Sequence, residues 1–195
     1  FRRLNRRCCG RRARMRFFPA PTMFDPDAPR IAAVVSRPGQ ATDAVVRDFV
    51  DGLRANGIRV QGLLQEVCPN PGHCKYQLQD IVTGKRYPIS QDLGNDSGAC
   101  ALDPAGLAEA SEVIRRVEDA TTDLVVFNRF SGLEAEGQGF AQEMLDIMSR
   151  GLPVLTVVRE FWLPAWRRFT GDLADEILPE HNALNAWFRQ SHPER

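Results

Sequence analysis

The sequence predicts an α/β domain: a three-layer sandwich with a mostly parallel sheet, an antiparallel hairpin at its side and a helical carboxyl-terminal tail. Three observations predict it. Apolar runs of strand length recur at residues 30–36, 124–127 and 154–158, and such runs belong to strands covered on both faces. Segments of helical period fall between them, so strand and helix alternate. Polar breaks, Arg37-Pro38-Gly39-Gln40 and Gly151-Leu152-Pro153, mark the changes of element.

The elements follow in order. After the strand at 30–36 comes a loop and then a helix, because Val46, Phe49, Val50 and Leu53 recur at i, i+3, i+4 and i+7 and Asn56-Gly57 supply a left-handed cap. Residues 58–67 return as a strand. Residues 76–82 and 85–89, around Thr83-Gly84, form a hairpin attached antiparallel to the sheet. Asp103-Pro104 starts a helix, with Asp as N-cap and Pro at the first helical position, and Leu107, Ala110, Ile114 and Val117 make its buried stripe. That helix feeds the strand at 124–127. Phe140, Met144, Ile147 and Met148 then lie on one helix face before the strand at 154–158. Trp162, Trp166, Phe169, Trp187 and Phe188 are spread over short helical pieces, at spacings that suit packing more than ligand stacking.

At 195 residues the chain can bury a core without disulfide or metal support, and one domain is expected. No run approaches the roughly 18 apolar residues of a membrane helix, so no membrane partner is expected. Residues 1–22 carry eight arginines and no acid against a chain total of zero, which leaves residues 23–195 at −8. Met23 opens a short polar lead into the first strand. The expectation is therefore a disordered or non-native basic tail at 1–22 and a single α/β domain at 23–195. A nucleic-acid arm or a targeting segment is the competing reading of the tail, and nucleic acid is not the expected partner. Five cysteines, at 8, 9, 68, 74 and 100, make no even framework, which points to a reducing cytoplasm.

The loop SRPGQATDAVV stands where a phosphate-binding loop would stand, between a strand and a helix. It lacks that loop's chemistry. Gly39 is its one glycine, no Lys occurs between Arg37 and Arg47, and Thr42 is the one hydroxyl near the helix start. Phosphate capture would rest on the helix N-terminus aided by Arg37. Across the cleft, Asn128 and Arg129 emerge at a strand's carboxyl end, where open α/β sheets bind ligands. The expected ligand-binding set is thus Ser36, Arg37, Gly39, Thr42, Asn128 and Arg129, with Glu134 and Glu136 as candidate catalytic carboxylates on the loop that follows. Arg129 can grip a phosphate or a tetrahedral oxyanion through its planar fork, and the carboxylates suit magnesium or a general base. The alternative is that Arg129 pairs with Glu134 or Glu136 to order the loop. Gln65, Glu66, Ser90 and Gln91 sit near strand ends and either line the same cleft or are simply solvated. Cys68, His73, Cys74 and Cys100 are candidate metal ligands, although CPNPGHC lacks the short separation of common zinc knuckles and also reads as an ordinary loop.

In segment order the chain resembles the small P-loop nucleoside triphosphatases first described from thermophiles. QGLLQEV, QDIVTG, DLVVFNRFSGLEAEG and PVLTVV carry the likeness over residues 30–158. Those enzymes have an Asp-Glu pair at the strand end where Asn128-Arg129 stands here, while Gly132 and Glu134 match later positions. The resemblance implies a P-loop-like fold with a degenerate phosphate loop. Over residues 30–190 the chain more closely resembles an uncharacterised bacterial family. The matching residues are Asn128-Arg129-Phe130, Glu134-Ala135-Glu136-Gly137, Cys100-Ala101-Leu102-Asp103 and the tryptophan-containing tail. Members of that family tend to be encoded beside molybdate-transport genes, which implies a role in molybdenum handling.

The expected function is a cytoplasmic regulatory or accessory protein that binds a nucleotide, with Mg2+, or an oxyanion such as molybdate. Two alternatives stand beside it. In one, the chain is a nucleoside triphosphatase in which Glu134 or Glu136 positions water and Arg129 stabilises charge. In the other, an exposed patch around Trp162, Trp166 and Trp187 docks a protein partner.

Overall fold

The computed structural model describes residues 30–69, 75–91 and 101–191. The basic tail, His73, Cys74 and Cys100 lie outside the described residues. The chain begins with β1 (Ile31–Ser36), α1 (Thr42–Ala55) and β2 (Val60–Val67). Next come β3 (Tyr76–Asp80), β4 (Arg86–Pro88) and a small ladder of β5 (Ser90–Gln91) with β6 (Ala101–Leu102). Helix α2 (Pro104–Arg115) leads to β7 (Leu124–Phe130), followed by the single turn α3 (Gly132–Ala135) and by α4 (Ala141–Ser149). The remainder is β8 (Val154–Arg159), α5 (Leu163–Thr170), β9 (Asp175–Ile177) and α6 (His181–Ser191).

The main sheet has the order β4-β3-β2-β7-β8-β1-β9. Strands β2, β7, β8, β1 and β9 run parallel, and β3 and β4 join antiparallel, as the hairpin reading requires. The central strands are apolar because both faces are covered. On one face Val46, Phe49 and Val50 of α1 and Leu184, Trp187 and Phe188 of α6 pack against Ala32, Val34, Val126 and Leu155. On the other, Ile114 of α2, Met144 and Ile147 of α4 and Trp166 of α5 pack against Ala33, Val125, Phe127 and Val154. Helix α2 starts as read: Asp103 Oδ1 accepts from Ala105 N at 3.0 Å and Pro104 opens the first turn.

Three departures have physical causes. Strand β7 runs on through Asn128 and Arg129 to Phe130, because Phe130 is buried among Trp166 and Phe169, with ring centroids 5.1 Å from each. Strand β9 has only Ile177 buried, so its pairing with β1 leaves no apolar run to read. The tail is interior packing: Trp166 and Trp187 are buried on opposite faces of the sheet and Trp162 is half-buried. No contiguous exposed patch joins the three tryptophans, which removes the feature that the protein-docking alternative required. Among the described residues, no helix is long and apolar enough to cross a membrane.

Candidate functional site

A β-bulge decides what the end of β7 presents. Pairing with β8 steps from Phe127↔Thr156 to Arg129↔Val157, so Asn128 is the extra residue. Strict alternation would put Arg129 on the same face as Phe127. With the bulge, Phe127 and Phe130 both enter the layer of α2, α4 and α5, and Arg129 turns to α1. There its Nη2 donates to both carboxylate oxygens of Asp43 at 2.6 Å. The loop-ordering alternative is corrected accordingly: the partner of Arg129 is Asp43, not Glu134 or Glu136. Asp43 lies in the first turn of α1, where a negative charge also meets the positive end of the helix dipole.

The β1–α1 loop is a tight turn. Gly39 has φ +81°, Gln40 N donates to Arg37 O at 3.2 Å, and Arg37 N donates to Gln40 Oε1 at 2.9 Å. Thr42 is buried, and its Oγ1 donates to Ser36 Oγ at 3.1 Å. Ala41 precedes α1 and gives it no side-chain cap. Beside this turn lies a cavity of about 830 Å³, bounded by residues 36–40, Arg129, Arg159 and the turn Glu160-Phe161-Trp162. Arg37 forks onto Glu160 Oε1 through Nε at 3.2 Å and Nη2 at 2.9 Å, with both side chains half exposed. The hydrogen bonds that Arg37 donates to Glu160, and the Glu160 charge, raise the Arg37 pKa further, so that guanidinium stays charged. Arg159 ends β8, is exposed, and has no ion-pair partner among the described residues.

The remaining predicted residues divide. Asn128 lines a second cavity of about 240 Å³ together with Gln65, Ser90 and Glu134, and Arg129 reaches both cavities. Asn128 Oδ1 and Arg129 Nε are buried without hydrogen-bond partners. Glu134 is buried and fully engaged: Oε2 accepts from Ser131 N and Ser131 Oγ, each at 3.0 Å, and Oε1 from Phe140 N at 3.3 Å. This is a capping box on α3. Glu136 is exposed on the loop. Glu66 faces elsewhere, in a groove between α1 and the hairpin. Burial pushes its pKa up, but hydrogen bonds from Arg86 and Gln77 and the charges of Arg47 and Arg86 outweigh that and hold it below the usual glutamate range.

Sequence reasoning missed Asp43, Arg159, Glu160 and Phe161. Arg159 was visible as the first polar residue after the apolar run VLTVV, at the strand end that α/β sheets use for ligands. Asp43 carried no signal, because its role depends on the bulge.

Two carboxylates beside the cavities are committed, Asp43 to Arg129 and Glu134 to its own loop. Among the described residues no group of three or more His, Cys, Asp or Glu could hold a metal ion. Among the described residues the donor set does not fit a magnesium held by protein side chains alone. Of the candidate thiol site, Cys68 is buried and disulfide-bonded, so it offers a metal no thiolate in this state, and the bond runs against the reducing compartment that the cysteine count suggested.

Over residues 31–187 the sequence matches the family described as Protein of unknown function (DUF2478). The chain is 36% identical over 167 residues to the "Molybdenum import ATP-binding protein ModC 2" of Bradyrhizobium diazoefficiens. That match covers 85% of this chain and 19% of the relative, so the chain spans about a fifth of that protein's length. Two solved structures are similar at 16% identity each. One is a human cancer-related nucleoside triphosphatase, with TM-score 0.66 and coverage of 85% of this chain and 99% of that one. The other is THEP1 from the hyperthermophile Aquifex aeolicus, with TM-score 0.61 and coverage of 84% and 99%. At that identity the likeness shows the fold alone, and the fold is that of the P-loop nucleoside triphosphatases.

Proposed function

The chain belongs to the DUF2478 family, and from that premise we propose that it is a cytoplasmic accessory or regulatory protein that binds a nucleotide or an oxyanion such as molybdate without hydrolysing it. One observation carries the reading. Arg37 just past β1, Arg129 near the end of β7 and Arg159 at the end of β8 converge on one cavity at the carboxyl ends of parallel strands. Arginine forks fit phosphate and tetrahedral oxyanions in planar, bidentate fashion. The link to molybdenum draws on the name of the relative, and the nucleotide class draws on that name and on the fold.

Binding is favoured over turnover by what surrounds the cavity. No Lys occupies the β1–α1 loop, and the carboxylate best placed by sequence to position water, Glu134, spends its oxygens on its own loop. Glu136 is the other carboxylate that a triphosphatase would use, and it stands exposed without a positioning partner among the described residues. The test is thermal denaturation of the chain with ATP, GTP, molybdate or sulfate. A ligand at about 100 times its dissociation constant adds roughly 2.7 kcal/mol of stability, a rise of several degrees in a domain of this size. A shift with a nucleotide, or with molybdate and not sulfate, is the expected result; no shift with any of the four contradicts the proposal.

A further inference from the structure

Resting on the anion-binding reading of the arginine cavity, we infer that its ligand carries a flat aromatic base as well as phosphates. The cavity takes a nucleoside di- or triphosphate, with the base against Phe161 and the phosphates at Arg159 and Arg37.

Size is the first argument. At about 830 Å³ the cavity falls in the range of whole small-molecule sites, about 300–1,000 Å³, and is many times what one tetrahedral oxyanion fills. The second is Phe161 itself. It is 80% exposed, the most open of the large hydrophobic side chains among the described residues, and it lines this cavity. The apolar residues on either side of the turn are covered, Val158 and Leu163 being buried and Trp162 half-buried, whereas Phe161 stands out from it. Phe161 packs edge-to-face with Trp162, with centroids 5.1 Å apart and planes at 82°, and such a pair leaves ring surface for a third aromatic group. Trp162 is held firmly from behind. A Cβ at Gly132 would stand 3.3 Å from its ring, so the absence of a side chain there lets the indole seat against α3. A supported aromatic wall is of no use to molybdate. It suits a base, because every base has a π-face to stack.

The same turn supplies a competitor. Glu160, next to Phe161, occupies Arg37 in a half-exposed ion pair. Phosphates entering the cavity displace Glu160 from Arg37, at modest cost because an exposed pair is weak. Base and phosphate contacts are therefore made on one short turn and on the loop that faces it.

Calorimetric titration of the whole chain with ATP, tripolyphosphate and molybdate tests this, on wild type and on Phe161→Ala and Glu160→Gln. In wild type ATP binds about ten-fold tighter than tripolyphosphate, the gain expected from stacking one base. Phe161→Ala removes that gain and leaves tripolyphosphate unchanged, while Glu160→Gln tightens both. Phe161 is exposed, so its removal leaves the fold intact, which thermal denaturation of the variant verifies. Equal affinities for ATP and tripolyphosphate in wild type, or parallel losses in Phe161→Ala, would overturn the inference. Molybdate binding alone would overturn it while leaving the anion-binding reading standing, and no binding by any probe would overturn both.

Discussion

Alanine at Gly62 is expected to destabilise the domain by roughly 3–5 kcal/mol, combining positive-φ strain with overpacking against backbone. Gly62 has φ +118°, which side chains avoid. A Cβ there would also overlap the carbonyl oxygen of Val126 and lie 2.9 Å from the Val126 N and C. The obstacle is main chain in the neighbouring central strand β7, so it cannot swing aside as a side chain would. Any relief must push β2 from β7, the strand that delivers Asn128 and Arg129. Domains of this size have about 5–15 kcal/mol in total, and the loss should appear as a large fall in the urea midpoint. A change below about 1 kcal/mol would mean that the close approach of β2 and β7 is absent.

The second large effect is expected at Glu134. Truncation to alanine leaves the buried Phe140 N–H and the half-buried Ser131 N–H and hydroxyl without their acceptor. At about 1–3 kcal/mol for each stranded group, the cost should be about 3–5 kcal/mol. Gly139 has φ +58° and any Cβ on it would overlap Glu134 Oε1, so the loop is built around this carboxylate. The expected signature is lowered thermal stability in Glu134→Ala, with Glu134→Gln intermediate because one amide oxygen can replace only part of the acceptor set. Full stability in Glu134→Ala would free the carboxylate for chemistry and reopen the hydrolase reading.

What was legible in the sequence follows from what local patterns encode. Strands β1 and β8 are apolar because they are covered on both faces, and α1 shows its core stripe through Val46, Phe49, Val50 and Leu53. The loss of phosphate-loop chemistry was equally plain, since it is a matter of which residue types stand between Arg37 and Arg47. Strand β9 was not legible, because Asp175 and Glu176 are exposed and the pairing with β1 is made by backbone. The bulge at Asn128 was also invisible. A bulge reverses the alternation of every residue beyond it, and Arg129 thereby meets Asp43, a residue 86 positions away. The sequence marked the end of β7 as a candidate site, and its alternative reading, in which Arg129 pairs with a nearby carboxylate, named Glu134 or Glu136 where the structure has Asp43. It likewise set Asn128 and Glu134 in one cleft with Ser36 and Arg37, whereas the strand end separates them into two cavities joined at Arg129.

The central claim is that the arginine cavity at the ends of β1, β7 and β8 captures an anionic ligand. Arg159 tests it most directly, because it is exposed at the end of β8, lines the cavity and has no ion-pair partner among the described residues, so its removal leaves the fold unstrained. Calorimetric titration of wild type and Arg159→Ala with whichever ligand raises thermal stability is the measurement. A charged hydrogen bond is worth about 1.5–3 kcal/mol, so the account predicts that Arg159→Ala binds at least ten-fold more weakly at unchanged stability. Equal affinity in the two proteins would place the ligand elsewhere and contradict it.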